Sequence, residues 1–180
     1  MKADHYDKFA ESYDAENNSS LLNAYYERPA MIDLAGDVNG RRILDAGCGS
    51  GPLTAALRAK GATMTGFDAS PAMVDLARLR AGEDVALHVA DLSKPLPFAN
   101  DAFDDIVASL VMHYLGDWAG PLAELRRVLK PGGRLIMSVN HPSGRRPAHP
   151  RRHRPKWRVR LRILLRSRPV DREFCSMVAL

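Results

Sequence analysis

The feature that most restricts the fold of this chain is the alternation of short apolar runs with helical stretches between residues 42 and 139. Arg42–Ala46 (RILDA) is an apolar run that stops at glycines, and its pattern predicts a strand. Pro52–Ala59 has helical spacing, and Thr63–Phe67 reads as a second strand. Pro71 stands where proline opens helices, and the helix is expected to run to about Ala81. Val85–Val89 is a third strand, and Lys94–Phe98 (KPLPF), with two prolines, is loop. Asp105–Leu110 is a fourth strand, Asp117–Leu129 a helix, Pro131-Gly132-Gly133 a turn, and Arg134–Val139 a fifth strand. Strands separated by helices call for right-handed crossovers and hence a parallel sheet. Runs such as IVASLVM suit strands covered on both faces. The expected class is α/β, a doubly wound parallel sheet of strand order 3-2-1-4-5. Upstream, residues 4–16 and 20–36 have helical spacing, with Ser19 or Ser20 as a cap for the second and Gly40 as the end of the region.

Charge divides the chain where the apolar pattern stops. Residues 1–140 hold 14 Lys+Arg against 19 Asp+Glu, a net of −5, whereas residues 141–180 hold 12 against 2, a net of +10. This predicts a domain over residues 1–142 followed by a basic, Arg- and Pro-rich tail over 143–180 that is poorly ordered. No apolar run approaches the roughly 20 residues of a membrane span. The polar opening MKADHYDKFAESYD is unlike a secretory signal. Cys48 and Cys175 make neither a disulfide framework nor a metal site. The expected location is the cytoplasm.

In doubly wound sheets, ligands sit beyond the carboxyl ends of the strands. The first strand ends in LDAGCGSGPL, where Gly47, Gly49 and Gly51 alternate before Pro52 starts a helix. Glycines let backbone approach a ligand closely, and the helix start offers unpaired N–H groups. The position three after Gly49 is Pro52, so the G-x-G-x-x-G fingerprint of nicotinamide cofactors is absent, as are the Lys and Ser/Thr of a P-loop. Asp68 closes the second strand 23 residues after Asp45, and Asp91 closes the third another 23 on. A carboxylate at the first of these ends can accept from both hydroxyls of a ribose, and one at the second from the exocyclic amine of adenine.

The segments LDAGCGSG, FDAS, ADLSKPLPFANDAFDDIVAS and LRRVLKPGGRLIMSV together resemble the successive motifs of class I S-adenosylmethionine-dependent methyltransferases, above all the type-11 methyltransferase domain group. The resemblance covers roughly residues 5–142 and implies a Rossmann-like fold with S-adenosyl-L-methionine as cofactor. It implies that Gly47, Gly49 and Gly51 pass under the methionine moiety and that Asp45 holds its amino group. It further implies that Asp68 binds the ribose, that Ala69 and Met73 flank the adenine, and that Asp91 with Leu92 reads its edge. Ser109 would offer a backbone carbonyl to the amino group. Tyr13 stands where related enzymes cover the cofactor with an N-terminal helix. His113 and His141, just past the fourth and fifth strands, are the candidate bases for an oxygen acceptor. Tyr114 and Trp118 are candidates for lining the acceptor pocket. The fourth strand ends in SLVM rather than an Asn/Asp-Pro-Pro-Tyr sequence, which favours a small-molecule acceptor methylated on oxygen or carbon over planar nitrogen.

After His141 the sequence departs from the family. The terminal hairpin is missing or altered, and the only strand pattern is Trp157–Ile163 (WRVRLRI), apolar and Arg in strict alternation. Three readings remain open: an altered C-terminus such as a frameshift product, a basic arm with weak affinity for polyanions such as nucleic acid or anionic lipid, or a divergent remnant of the hairpin. The alternative to an active methyltransferase is a non-catalytic or truncated protein derived from it that binds the cofactor, or nucleic acid through this basic segment.

Overall fold

The strands follow the apolar runs closely. The computed structural model describes residues 23–140 and the backbone of a strand at Val159–Leu165. A π-helical turn, Asn23–Glu27, leads directly into α1 (Arg28–Ala35). The alternating part then runs β1 (Arg42–Ala46), α2 (Pro52–Ala59), β2 (Thr63–Asp68), α3 (Pro71–Ala81), β3 (Ala86–Val89), β4 (Phe103–Ala108), α4 (Ala119–Val128), β5 (Leu129–Asn140) and β6 (Val159–Leu165). Both α2 and α3 carry proline in the first turn, and Ser70 caps α3 by accepting from Met73 N–H at 3.2 Å. The helix predicted over 4–16 and the Ser19/Ser20 cap lie outside the described residues.

The sheet has the order β3-β2-β1-β4-β5-β6, parallel up to β5. This is the expected doubly wound 3-2-1-4-5 arrangement with one antiparallel strand added at the edge. Apolar side chains fill both faces. On one side, Met31, Leu57, Val74 and Ala77 of the first three helices pack on Ile43 and Val107. On the other, Leu125 and Val128 of α4 pack with Phe67, Phe103 and Met112 on Leu44 and Ile106.

Three details depart from expectation. β4 starts two residues early, at Phe103, because Phe103 pairs with Leu129. Pro131-Gly132-Gly133 does not separate a helix from a strand. It bulges out of β5, since Phe103 pairs with Leu129 and Asp105 with Arg134, leaving the residues between without partners in the ladder. The WRVRLRI alternation does yield a strand, β6, set two residues later and antiparallel to β5, with Ile163 opposite Ile136. It falls inside the segment expected to be a poorly ordered tail; the rest of 143–180 lies outside the described residues.

One ion cluster ties the amino ends of the central strands. The Asp105 side chain is 1% exposed and accepts from Arg41 Nε at 2.6 Å and from Arg134 Nε and Nη2 at 2.9 and 2.7 Å. Burial raises the Asp105 carboxyl, but the hydrogen bonds and charges of Arg134 and Arg41 outweigh it and hold the group below the ordinary range. Asp105→Asn keeps the shape and removes the charge. Breaking a fully buried pair costs about 3–5 kcal/mol, and partial solvent access of both guanidinium groups reduces the expected loss to about 2–3 kcal/mol. Urea unfolding measures this, and a loss below about 0.5 kcal/mol contradicts a structural role for the cluster.

Candidate active site

The carboxyl ends of β1–β4 open into one cavity of about 390 Å³, within the size range of small-molecule sites. Asp45, Gly47, Gly49, Asp68, Ala69, Met73, Asp91, Leu92 and Ser109 all line it. These are the predicted cofactor residues with two exceptions. Tyr13 lies outside the described residues. Gly51 is not on the wall: a Cβ there would meet Ala77 Cβ at 3.0 Å and Cα at 3.1 Å, and its φ is +82°. It is a glycine because α2 packs close against α3, a constraint that sequence alone does not distinguish from ligand approach. At Gly49 (φ +54°) a Cβ would meet no protein atom within 4 Å, so the missing side chain leaves the cavity open.

Asp68 organises the loop from below. Its Oδ2 accepts from Gly49 N–H and its Oδ1 from Ser70 N–H, both at 3.0 Å. Asp91 accepts from the hydroxyl and N–H of Ser93, and these bonds hold its carboxyl below the ordinary range. Asp45 behaves in the opposite way. It is 1% exposed, Thr54 Oγ1 donates to its Oδ2 at 2.6 Å, and its buried Oδ1 has no hydrogen-bond partner among the described residues. Burial pushes its carboxyl up to about 7; the Thr54 hydrogen bond opposes this, and the charges of Glu27 and Asp68 add to it.

Glu27, Leu110, Val111, Tyr114 and Leu115 also line the cavity. Glu27 was not legible from sequence, because its partners Ser109 and Ser138 are 82 and 111 residues away. Leu110 holds a left-handed φ of +49°, with its N–H donating to Ser138 Oγ at 3.0 Å and Ser138 O at 3.1 Å. Such strain at a non-glycine residue is concentrated at functional sites. His113 is not on the wall. It sits in a 3₁₀ turn, Met112–Tyr114, with its ring centroid 4.2 Å from that of Tyr114. Trp118 packs against the α4-side core rather than the cavity, and His141 lies outside the described residues. Among the described residues no group of three or more His, Cys, Asp or Glu is placed to hold a metal, and no helix is long and apolar enough to cross a membrane.

A doubly wound sheet with a glycine turn after β1 and acids at the ends of β1, β2 and β3 defines the Rossmann-like, class I methyltransferase type. Residues 44–137 match the methyltransferase domain family model. The chain is 33% identical over 163 residues to a demethylmenaquinone methyltransferase of Tropheryma whipplei, covering 89% of this chain and 65% of that one. It is 36% identical to a malonyl-[acyl-carrier protein] O-methyltransferase of Serratia marcescens, covering 74% and 50%. Among solved structures, an S-adenosylmethionine-dependent methyltransferase from Mesorhizobium loti superposes with a TM-score of 0.62 at 36% identity, covering 67% of this chain and 56% of that one. The chain thus belongs to the methyltransferase domain family, whose members use S-adenosylmethionine. It spans less than two thirds of the length of these relatives.

The raised Asp45 value has a measurable consequence. The unfolded chain ionises Asp45 near 3.8, while the folded chain keeps the proton until about 7. Between these values the folded state binds more protons, so this group makes stability fall as pH rises, by about 4 kcal/mol across the window. The stability of Asp45→Asn relative to the parent is expected to rise over that range and to level off above it. Denaturant unfolding at a series of pH values checks this, and a flat difference contradicts it.

Proposed function

We propose that this chain binds S-adenosylmethionine in the described cavity and transfers its methyl group to a small, largely apolar acceptor at a carbon or oxygen atom. The observation that carries the reading is the lining itself: an excess of carboxylates, with one buried oxygen of Asp45 lacking a donor among the described residues, beside a glycine whose side-chain space is open. A ligand bearing an ammonium and a sulfonium suits such a wall. Asp45 Oδ1 would take the ammonium, Asp68 the ribose hydroxyls, and Asp91 with Leu92 the adenine edge, with Met73 and Ala69 against the ring.

When bound, the sulfonium supplies an activated methyl group, so the protein's share of the chemistry is placement and exclusion of water. Leu110, Val111, Tyr114 and Leu115, on the turn after β4, form an apolar stretch of wall suited to a ring-containing acceptor. The demethylmenaquinone methyltransferases among the relatives support an aromatic acceptor of the reduced-quinone class. His113 stands one layer behind the cavity wall, its ring 4.2 Å from that of the lining residue Tyr114.

Calorimetry with S-adenosylmethionine, paired with transfer of labelled methyl to reduced demethylmenaquinone, tests the reading. Asp68→Ala is expected to weaken cofactor binding by about 2–4 kcal/mol, the scale of a pair of charge-assisted hydrogen bonds. Gly49→Val places a branched side chain in the cavity, at a φ of +54° that also strains the loop, and should abolish measurable binding, with circular dichroism reporting whether the domain is folded. Unchanged affinity in both folded variants rules out this placement of the cofactor. Binding without transfer to any small acceptor favours the non-catalytic alternative.

A further inference from the structure

Glu27 is the one acid on the cavity wall that the assignments above leave without a ligand group. It ends the π-helical turn and is 3% exposed, and Oε1 accepts from Ser109 Oγ at 2.7 Å and Ser138 Oγ at 2.5 Å. Turns of this kind recur at functional sites, because the extra residue re-aims a side chain. The other acids are differently placed. Asp68 is held by Gly49 and Ser70, Asp91 by Ser93, and Asp45 lies at the base of the glycine loop. Among the described acids of the wall, Glu27 alone approaches from the side of β4 and β5, where Ser109 follows β4 and Ser138 lies in β5. Asp45 lines the same cavity, and its Oδ1 has no hydrogen-bond partner among the described residues.

We propose that Glu27 faces the sulfonium of the methyl donor and raises affinity for the donor relative to the demethylated product. The inference rests on the cofactor reading above. S-adenosylmethionine and S-adenosylhomocysteine differ by one methyl group and one positive charge, at the sulfur. A nearby carboxylate in a partly desolvated wall attracts the first far more than the second. Asp68 and Asp91, assigned to the adenosine moiety, act on both ligands alike. Glu27 therefore helps a donor enter and a spent product leave.

The test is calorimetric binding of both ligands to the full chain and to Glu27→Gln, which keeps the shape and removes the charge. The expected result is a drop of about tenfold to a hundredfold in the donor-to-product affinity ratio, with product affinity nearly unchanged. Ser138→Ala, which keeps the charge, should leave the ratio as in the parent. If Glu27→Gln does not fold, Glu27→Asp carries the test, and its ratio should fall as the charge withdraws by one methylene. An unchanged ratio in the folded Glu27 variant overturns the proposal, whether both affinities fall together or neither moves. A parent chain that binds neither ligand overturns the cofactor reading itself, and the two failures are thereby distinguished.

Discussion

The site depends on a carboxylate buried at the end of the central strand. Asp45 has neighbours on both sides of β1, a glycine turn after it and Thr54 of α2 against one oxygen. Its other oxygen meets no donor among the described residues, and leaving such an atom buried costs about 1–3 kcal/mol. A fold optimised for stability alone would place an apolar residue here. The surrounding structure is arranged to sustain this cost: Asp68 ties the glycine turn to β2, and Arg80 of α3 donates to Ser50 O and Oγ at 2.7 Å, bracing the turn from behind. The buried acid is an expense in the free chain that a cationic ligand would offset.

Most of the sheet was legible because each strand is a short apolar run bounded by glycine, proline or aspartate. β1, α2 and α3 begin and end where their local patterns do. The misplacements arose where long-range pairing decides. The bulge at Pro131–Gly133 looks like a turn in isolation and is absorbed into β5 only because Phe103 pairs with Leu129. The cavity lining was legible for the same reason as the strands, since its acids sit at strand ends and recur at fixed spacing. Gly51 shows the limit of that logic: its neighbour is Ala77 of another helix, and no local pattern reports it. Glu27 shows the limit again, because a buried glutamate between a tyrosine and an arginine reads as an exposed helical residue until Ser109 and Ser138 are brought to it.

The C-terminal segment is the place where composition and topology pull apart. Its charge and proline content argue against order, yet Val159–Leu165 lies along β5 and covers an edge that would otherwise be open to pairing with another chain. The match to the Tropheryma whipplei relative takes in 89% of the 180 residues, so it cannot stop at residue 142.

Burial pushes the Asp45 carboxyl up to about 7, and a cationic ligand binding beside it is expected to draw off its proton. Proton release on binding measures this directly. Calorimetric titration with S-adenosylmethionine at about pH 6, repeated in buffers of different ionisation enthalpy, is predicted to show close to one proton released per ligand bound, because the ammonium lowers an Asp45 value that stands at about 7 in the free chain. The same titration of Asp45→Asn is predicted to show none. Binding to the parent with no proton released, or with the same release in the variant, would contradict the account.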